Sequence, residues 1–381
     1  MNSKQKAFIG ILSLFSIIVF FQNCGKKSFN VKNAAEISPS VFYDECLKQT
    51  NNETCLIYKN PAVGMQLIQK VPNDQITTIG KLSLPDFDIV NFESDQIQVF
   101  QNEPIPFSSQ NPFPYAYIHT SYWAKEYAQF IKKIIQKPWI LDQKSIKIYA
   151  NSPYSGWSPD KNEIHLFYDE FKNQVMALDA SLVVYFLSEA QLSYLTSKKI
   201  DGYQSETQTY EKDPHLKNCK TSKGKLLIDS CCNSQNGCSK AISSGQADYL
   251  TSLFFQTHPA VGDDWGSDLN GFQACGIYRN PELNQKLTFN QAFEKCSQSN
   301  IEGYFPILGA VYASLWWEMR KEADVKENID FLFLAHLESL NFDDTFTSAL
   351  EKAIEKDRTL FANKYTALIK RWAINKGLLL N

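Results

Sequence analysis

The sequence has no excess of positive charge. Its 381 residues include 38 Lys and Arg and 41 Asp and Glu, a formal net charge of −3. Residues 1–23 contain two lysines and no acidic residue, so the remainder has 36 basic and 41 acidic residues, a net charge of −5. Proteins that bind nucleic acid neutralise phosphates with clustered Lys and Arg, and no basic stripe is present. Nucleic acid is therefore not an expected partner.

Long hydrophobic runs are missing beyond the N-terminus. The one long apolar run, residues 7–21, contains 15 uncharged residues, fewer than the ~20 that a membrane-spanning helix needs. This excludes a protein with several membrane spans. Apolar residues make up 44% of the chain, a proportion typical of folded globular proteins.

The common catalytic motifs are also missing. The chain has no G-x-S-x-G elbow, no P-loop and no G-x-G-x-x-G turn. No histidine has another histidine three or four residues away, as a helical zinc motif requires. The histidines are therefore predicted to be surface or hydrogen-bonded structural residues: His119, His165, His215, His258 and His336.

The N-terminus contains a short cationic segment, the apolar run 7–21 and then Cys24. This order is typical of a secretory signal, and with the cysteine it resembles a bacterial lipoprotein signal. The resemblance implies that residues 1–23 are removed and that acylated Cys24 anchors the chain in the outer membrane, because no Asp follows it. Three acyl chains on one cysteine would anchor the protein stably in a membrane, since two hydrophobic signals already suffice for stable anchoring. The alternative is an ordinary signal peptide with an incidental cysteine.

Eight cysteines remain after Cys24. An even number in an oxidising compartment predicts four disulfides. The spacing favours the local pairs Cys46–Cys55 and Cys275–Cys296. The other four would join within one polar loop: Cys219, Cys231, Cys232 and Cys238. A zinc ribbon in that loop is the alternative, but the loop has no C-x-x-C pair.

The order of the periodic patterns predicts an α+β fold. Short β-rich runs and an aromatic helix precede residue 170, and residues 175–196 are apolar nearly all round, which predicts a central buried helix. Helical patterns then follow at roughly 241–256, 306–321, 328–339, 344–356 and 358–375. Strands early and helices late predict an N-terminal mixed sheet lobe and a mainly helical C-terminal lobe.

Six parts make up the predicted organisation of the chain. They are a signal peptide (1–23), a tether (24–40), a small Cys-bounded element (41–75), a sheet lobe with the central helix (76–196), a Cys-rich insertion (197–240) and a helical lobe (241–381).

Several segments then follow one another in a recognisable order. They are A-Y…Y-W at 116–123, W-S-P-D-K-N-E-I-H-L at 157–166, L-D-A-S-L-V-V at 178–184, S-G-Q-A-D-Y at 244–249, G…L-W-W-E-M-R at 309–320 and a helical segment at 342–357. In this order they resemble a thermolysin- or fungalysin-type metallopeptidase over roughly residues 110–360, with an insertion at 200–240. The resemblance implies a thermolysin-like fold with its active-site helix at about 175–196.

That family holds zinc with two histidines and a glutamate, and a second glutamate activates water. Matching the Asp179 segment without gaps places Tyr185 at the first histidine, Phe186 at the catalytic glutamate and Glu189 at the second histidine. A phenylalanine cannot take a proton from water, so the resemblance implies that hydrolysis has been lost.

The later segments show the same replacement. The third zinc ligand falls on Ser244, and the histidine that stabilises the oxyanion falls on or near Pro306, which has no donor. Asp248 alone keeps the family's residue, a carboxylate that supports the metal ligands. Oxygen donors of this kind form a hard, weak site where neutral imidazole is expected.

The sequence thus favours a non-catalytic envelope lipoprotein without a metal or other cofactor. Its former substrate groove would bind a peptide or protein, or the chain would serve as a scaffold. Two alternatives remain open: an active metallohydrolase with non-standard ligands, and a purely structural envelope protein without a ligand.

Overall fold

The computed structural model describes only part of the chain. The described residues are 35–37, 53–60, 65–72, 83–84, 87–93, 96–97, 113–135, 145–169, 174–197, 221–222, 225–226, 237–255, 273–274, 277–298, 305–341 and 344–379. Cys24 and five of the other cysteines lie outside these residues, and the side chains of Cys55, Cys238 and Cys296 are not described. The predictions of lipidation and disulfides therefore stay predictions.

A small antiparallel sheet comes first. Its three strands lie in the order β1-β3-β2, and Ile68 of the middle strand pairs with Ala35 on one side and Ile57 on the other. The strands are β1 (Ala35–Ile37), β2 (Glu53–Asn60) and β3 (Met65–Pro72).

The main sheet is mixed and has seven strands. Three of them, β5, β7 and β9, are parallel neighbours in the order β5-β7-β9, and the other four pair antiparallel with β5 or β9. The strands are β4 (Ser83–Leu84), β5 (Phe87–Asn91), β6 (Gln96–Ile97), β7 (Ile146–Ser152), β8 (Gly156–Ser158), β9 (Glu163–Asp169) and β10 (Gln174–Val175).

The parallel pairing of β5 and β7 has a clear cause. Parallel neighbours need a long crossover connection, and helix α1 (Phe113–Ile135) lies between the two strands in the sequence. Its buried residues include Trp123 and Tyr127, which face the helical part of the protein through Phe254 and Phe255.

Helices dominate after residue 180. They are α2 (Ala180–Ser197), α3 (Gly237–Phe255), α4 (Phe289–Gln298), α5 (Phe305–Glu322), α6 (Lys326–Leu337), α7 (Phe346–Phe361) and α8 (Thr366–Asn375). Two short hairpins accompany them, β11 (Thr221–Ser222) with β12 (Lys225–Leu226), and β13 (Gln273–Ala274) with β14 (Ile277–Tyr278). The predicted α+β fold, a mixed sheet followed by a mainly helical region, is confirmed.

Helices α3 and α5 cross in backbone contact. A Cβ atom added to Gly309 would lie 2.2 Å from the carbonyl oxygen of Ala241, and one added to Gly245 would lie 2.3 Å from that of Gly309. Only glycine permits this approach, because any other side chain would occupy the space of the opposite backbone. The crossing fixes α3, which carries two of the predicted site residues, against the helical core.

Several predicted helix bounds need correction. The central helix is not continuous over 175–196: a 3₁₀ turn covers Met176–Leu178, and α2 begins only at Ala180. Helix α3 begins at Gly237 rather than at 241, within the predicted insertion. The predicted helix 358–375 is two elements, because α7 continues to Phe361 and a left-handed residue, Ala362, ends it. Among the described residues, no helix is long and apolar enough to cross a membrane.

Candidate functional site

The N-terminus of α2 is held by Asp179. Its carboxylate accepts hydrogen bonds from the backbone N–H of Ser181 at 2.9 Å and from the Ser181 hydroxyl at 2.6 Å. A side-chain acceptor at this position satisfies helix N–H groups that have no partner within the helix. Because the cap fixes where α2 begins, it also fixes which side chains of α2 face α3.

Tyr185 and Glu189 lie one turn apart on α2 and face Ser244 of α3. The Tyr185 hydroxyl donates a short hydrogen bond to the Glu189 carboxylate and lies 3.2 Å from the Ser244 hydroxyl oxygen. Tyr185 is 2% exposed, whereas Glu189 is half-buried. Tyr185 thus contacts both of the other predicted site residues, Glu189 on α2 and Ser244 on α3.

Arg279 completes this cluster, although it is not among the site residues predicted from the sequence. Its Nε lies 2.9 Å from a carboxylate oxygen of Asp248, and its Nη2 donates to the backbone carbonyl of Ser244 at 3.3 Å and to the Ser244 hydroxyl. The guanidinium carbon lies 4.2 Å from the centroid of the Tyr185 ring. Stacking on an aromatic face stabilises a cation, so Arg279 is bound by charge, hydrogen bonds and the ring together. We refer to Tyr185, Glu189, Ser244, Asp248 and Arg279 as the arginine cluster.

The hydrogen bonds of the cluster all run in one direction. The guanidinium of Arg279 has only donors, so the Ser244 hydroxyl accepts from it and is left to donate to Tyr185, which itself donates to Glu189. The chain of hydrogen bonds therefore runs from the buried cation to the half-buried anion. Hydrogen bonds to charged groups are stronger than neutral ones, and such chains strengthen one another.

Burial and charge shift the pKa values of the cluster. Burial raises the pKa of Asp248 to about 6, although the neighbouring guanidinium acts in the opposite direction. Burial, the largest single effect, would lower the pKa of Arg279, but the Asp248 charge and the interactions with Tyr185 and Glu189 together outweigh it, and the net shift is upward. Burial also raises the pKa of Tyr185 well above its usual range. At neutral pH the cluster therefore contains a charged Arg–Asp pair and a neutral tyrosine.

The loop that carries Arg279 is attached to the C-terminal helix. The Lys376 ammonium, which is 1% exposed, donates to the backbone carbonyls of Asn284 at 2.9 Å and Gln285 at 2.7 Å. The backbone N–H of Phe289 donates to the carbonyl of Lys376 at 2.8 Å. Lys376 thus holds the segment between β14 and α4 that places Arg279 in the cluster.

Two further predicted positions, Phe186 and Pro306, are not members of the arginine cluster. The Phe186 ring is buried, and its centroid lies 5.2 Å from that of Tyr185 in an edge-to-face arrangement. Pro306 lies in the first turn of α5, and its side chain is not described.

The described histidines are all occupied by protein contacts. His119 accepts from the Trp123 indole N–H at 3.0 Å, which leaves its Nδ1 to donate to the carbonyl of Ala177 at 2.8 Å. His165 stacks on the Tyr149 ring, with centroids 4.8 Å apart. His336 stacks on Trp316 and is hydrogen-bonded to the Tyr312 hydroxyl at 3.0 Å. His215 and His258 lie outside the described residues.

The cluster does not fit the zinc ion that thermolysin-like peptidases hold. Zinc sites in proteins use imidazole, thiolate or carboxylate ligands, but here the guanidinium cation contacts both Asp248 and Ser244 and would repel a second cation. No group of three or more His, Cys, Asp or Glu residues that could hold a metal occurs in the part of the chain that the structure describes. The cluster therefore has the chemistry of a buried ion pair.

Local sequence patterns offer little reason to expect Arg279 in this position. It lies 31 residues after Asp248, in a segment that was predicted only for its cysteine. The usable signal was a lone arginine after the apolar pair Ile277-Tyr278, because a charge next to a buried segment requires a partner. No protein-family model matches this chain, and no curated protein matches it. The resemblance to thermolysin-like peptidases therefore stays a prediction from motif order.

Proposed function

We propose that this chain is a non-catalytic, peptidase-like lipoprotein of the bacterial outer membrane that binds an extended peptide or protein segment. Acylated Cys24 would supply the membrane anchor. The proposal rests on the order of the sequence motifs, on the replacements at Tyr185, Phe186 and Ser244, and on the arginine cluster.

The position of Arg279 is the observation that supports the proposed lack of catalysis. Its guanidinium contacts the residues at two of the family's key positions, Ser244 and Asp248, and covers the face of Tyr185 at a third. Hydrolysis of a peptide bond needs a general base that reaches water. At the corresponding position Phe186 offers a buried hydrocarbon ring.

An edge of the main sheet supports the proposal that the chain binds an extended peptide. Strands β8 and β10 both pair with β9 on the side opposite β7, so among the described strands they form the outer edge there. Next to β8, Tyr154 is 39% exposed. An extended peptide can add to such an edge through main-chain hydrogen bonds, while side-chain pockets select its sequence.

A peptide array probed with the purified full-length chain tests binding. We expect a defined set of peptides to bind the wild type. Ser158→Lys, which places a charge on β8, should weaken binding, since lysines on edge strands oppose strand addition. Thr359→Lys is the matched control, because Thr359 is exposed on α7. An array without any reproducible binder would favour a purely structural protein.

Metal analysis and a peptide-cleavage assay test the loss of catalysis in the same material. We expect neither stoichiometric zinc nor cleavage. Zinc that is retained through purification, together with cleavage that a chelator stops, would establish the metallohydrolase instead.

A further inference from the structure

Two buried Arg–Asp pairs contact α3, and they differ in their anions. On one face Arg320 lies 2.9 Å from Asp330, which also accepts from the Tyr249 hydroxyl at 2.8 Å. On the other face Arg279 contacts Asp248, and the Ser244–Tyr185 hydrogen bonds connect it to a second carboxylate, Glu189. The arginine cluster is thus an oxygen-lined centre in which one carboxylate contacts the cation and a second is connected to it through hydrogen bonds.

We propose that Arg279 is an internal cation that occupies the place of a diffusible metal ion, and that the surrounding oxygens form a latent site for a hard divalent cation once the guanidinium is removed. This inference goes beyond the proposed function and does not depend on it, because it holds whether or not the chain binds a peptide.

The oxygen donors around Arg279 are those that hard cations prefer. The Asp248 carboxylate and the hydroxyl and backbone carbonyl of Ser244 contact the guanidinium, and the Tyr185 hydroxyl and the Glu189 carboxylate extend this set through hydrogen bonds. Calcium, magnesium and manganese favour carboxylate, carbonyl and hydroxyl oxygens over nitrogen or sulfur. No nitrogen or sulfur ligand is among these donors, so the latent site would select hard cations rather than zinc.

The guanidinium explains why the wild type should not respond to these cations. It lies 2.9 Å from Asp248 and 4.2 Å from the Tyr185 ring centroid, so a second cation bound to the same oxygens would be within a few ångströms of it. Repulsion between like charges at such distances is strong where water is excluded. A metal ion could therefore bind only if Arg279 left, and the loop held by Lys376 opposes that movement.

The decisive variants are Arg279→Met and Arg279→Lys in the full-length chain. Methionine keeps much of the side-chain volume without the charge, whereas lysine keeps the charge. We expect calcium or manganese to raise the melting temperature of Arg279→Met by roughly 3 °C or more at about 100-fold excess over the dissociation constant. The wild type and Arg279→Lys should show no such rise, and a chelator should reverse it.

The control is the double variant Arg279→Met/Glu189→Gln. It has lost one carboxylate, so we expect the metal-dependent rise to fall to less than half of that in Arg279→Met. A rise that is equal in wild type and Arg279→Met, or that is unaffected by Glu189→Gln, would overturn the proposal.

Failure of Arg279→Met to fold also has a defined interpretation. Two buried carboxylates without a cation are costly, so folding that is rescued by calcium or manganese supports the proposal. Rescue without metal by Asp248→Asn and Glu189→Gln in the Arg279→Met background supports it as well. If neither metal nor these neutral replacements restores folding, Arg279 has a role other than that of a counter-cation.

Discussion

Replacing Gly309 by alanine tests the closest contact in the helical core. The added methyl carbon would lie 2.2 Å from the Ala241 carbonyl oxygen and 2.6 Å from the Gly245 nitrogen. Both are backbone atoms of α3, so no side chain can rotate to make room. Restoring an ordinary separation of 3.4 Å from the oxygen requires a movement of about 1.2 Å between the two helices.

Two opposing terms set the size of the effect. Alanine is about 1 kcal/mol more favourable than glycine within a helix. Overpacking of a core typically costs 1–3 kcal/mol, and we place this case at about 3–4 kcal/mol because only whole helices can move. A gap of this width also forfeits a large part of the dispersion contacts around the crossing. We therefore expect Gly309→Ala to lower the free energy of unfolding by about 2–3 kcal/mol.

Urea unfolding of the full-length chain measures this difference, and a double-mutant cycle makes it specific. Gly245→Ala should cost a similar amount, because its methyl would meet the Gly309 carbonyl at 2.3 Å. The double variant should cost clearly less than the sum, since one separation of the helices accommodates both methyl groups. Neutral or stabilising single variants, or strictly additive ones, would show that α3 and α5 are not in backbone contact.

Three further predictions concern other parts of the chain. Burial lowers the pKa of His336 to about 4, below the ~6.5 of an unfolded histidine, so the folded state requires the neutral ring. About 3 kcal/mol of stability should therefore be lost as the pH falls from ~6.5 to ~4. In urea unfolding, His336→Gln should remove that part of the acid sensitivity. Thr345 caps α7 through a reciprocal pair of hydrogen bonds with Ser348, so Thr345→Ala should lower the free energy of unfolding by about 1 kcal/mol, whereas Thr359→Ala on the exposed face of α7 should have little effect. Cys24→Ser should release the protein from membranes or leave it uncleaved, and labelled palmitate that fails to enter the wild type would contradict the lipoprotein prediction.

The site residues on helices were accessible from the sequence because their spacing is local. Tyr185 and Glu189 lie at i and i+4, and so do Ser244 and Asp248, so each pair shares a helix face wherever the helix lies. Arg279 could not be placed in this way. Its position depends on the path of a loop between β14 and α4, which long-range contacts determine.

The same distinction between local patterns and long-range contacts applies to the fold. The short β-rich runs before residue 170 predicted strands, but the parallel pairing of β5 with β7 depends on the crossover by α1 and not on any local pattern. The helix α4 (Phe289–Gln298) was missed because it is short and largely polar, and its docking rests on Phe289, which packs against Phe346. Gly377, with a left-handed φ of +70°, follows the end of α8 as glycines commonly do after helices.

The attachment of Lys376 has a consequence for the order in which the chain folds. Its hydrogen bond to Asn284 joins residues that are 92 positions apart, and synthesis proceeds from the N-terminus. Helices α2 and α3, with both carboxylates, are complete long before the ribosome releases Lys376. The contact that fixes the Arg279 loop can therefore form only after both carboxylates are in the chain, and truncation just before Lys376 should leave that loop without its attachment to α8.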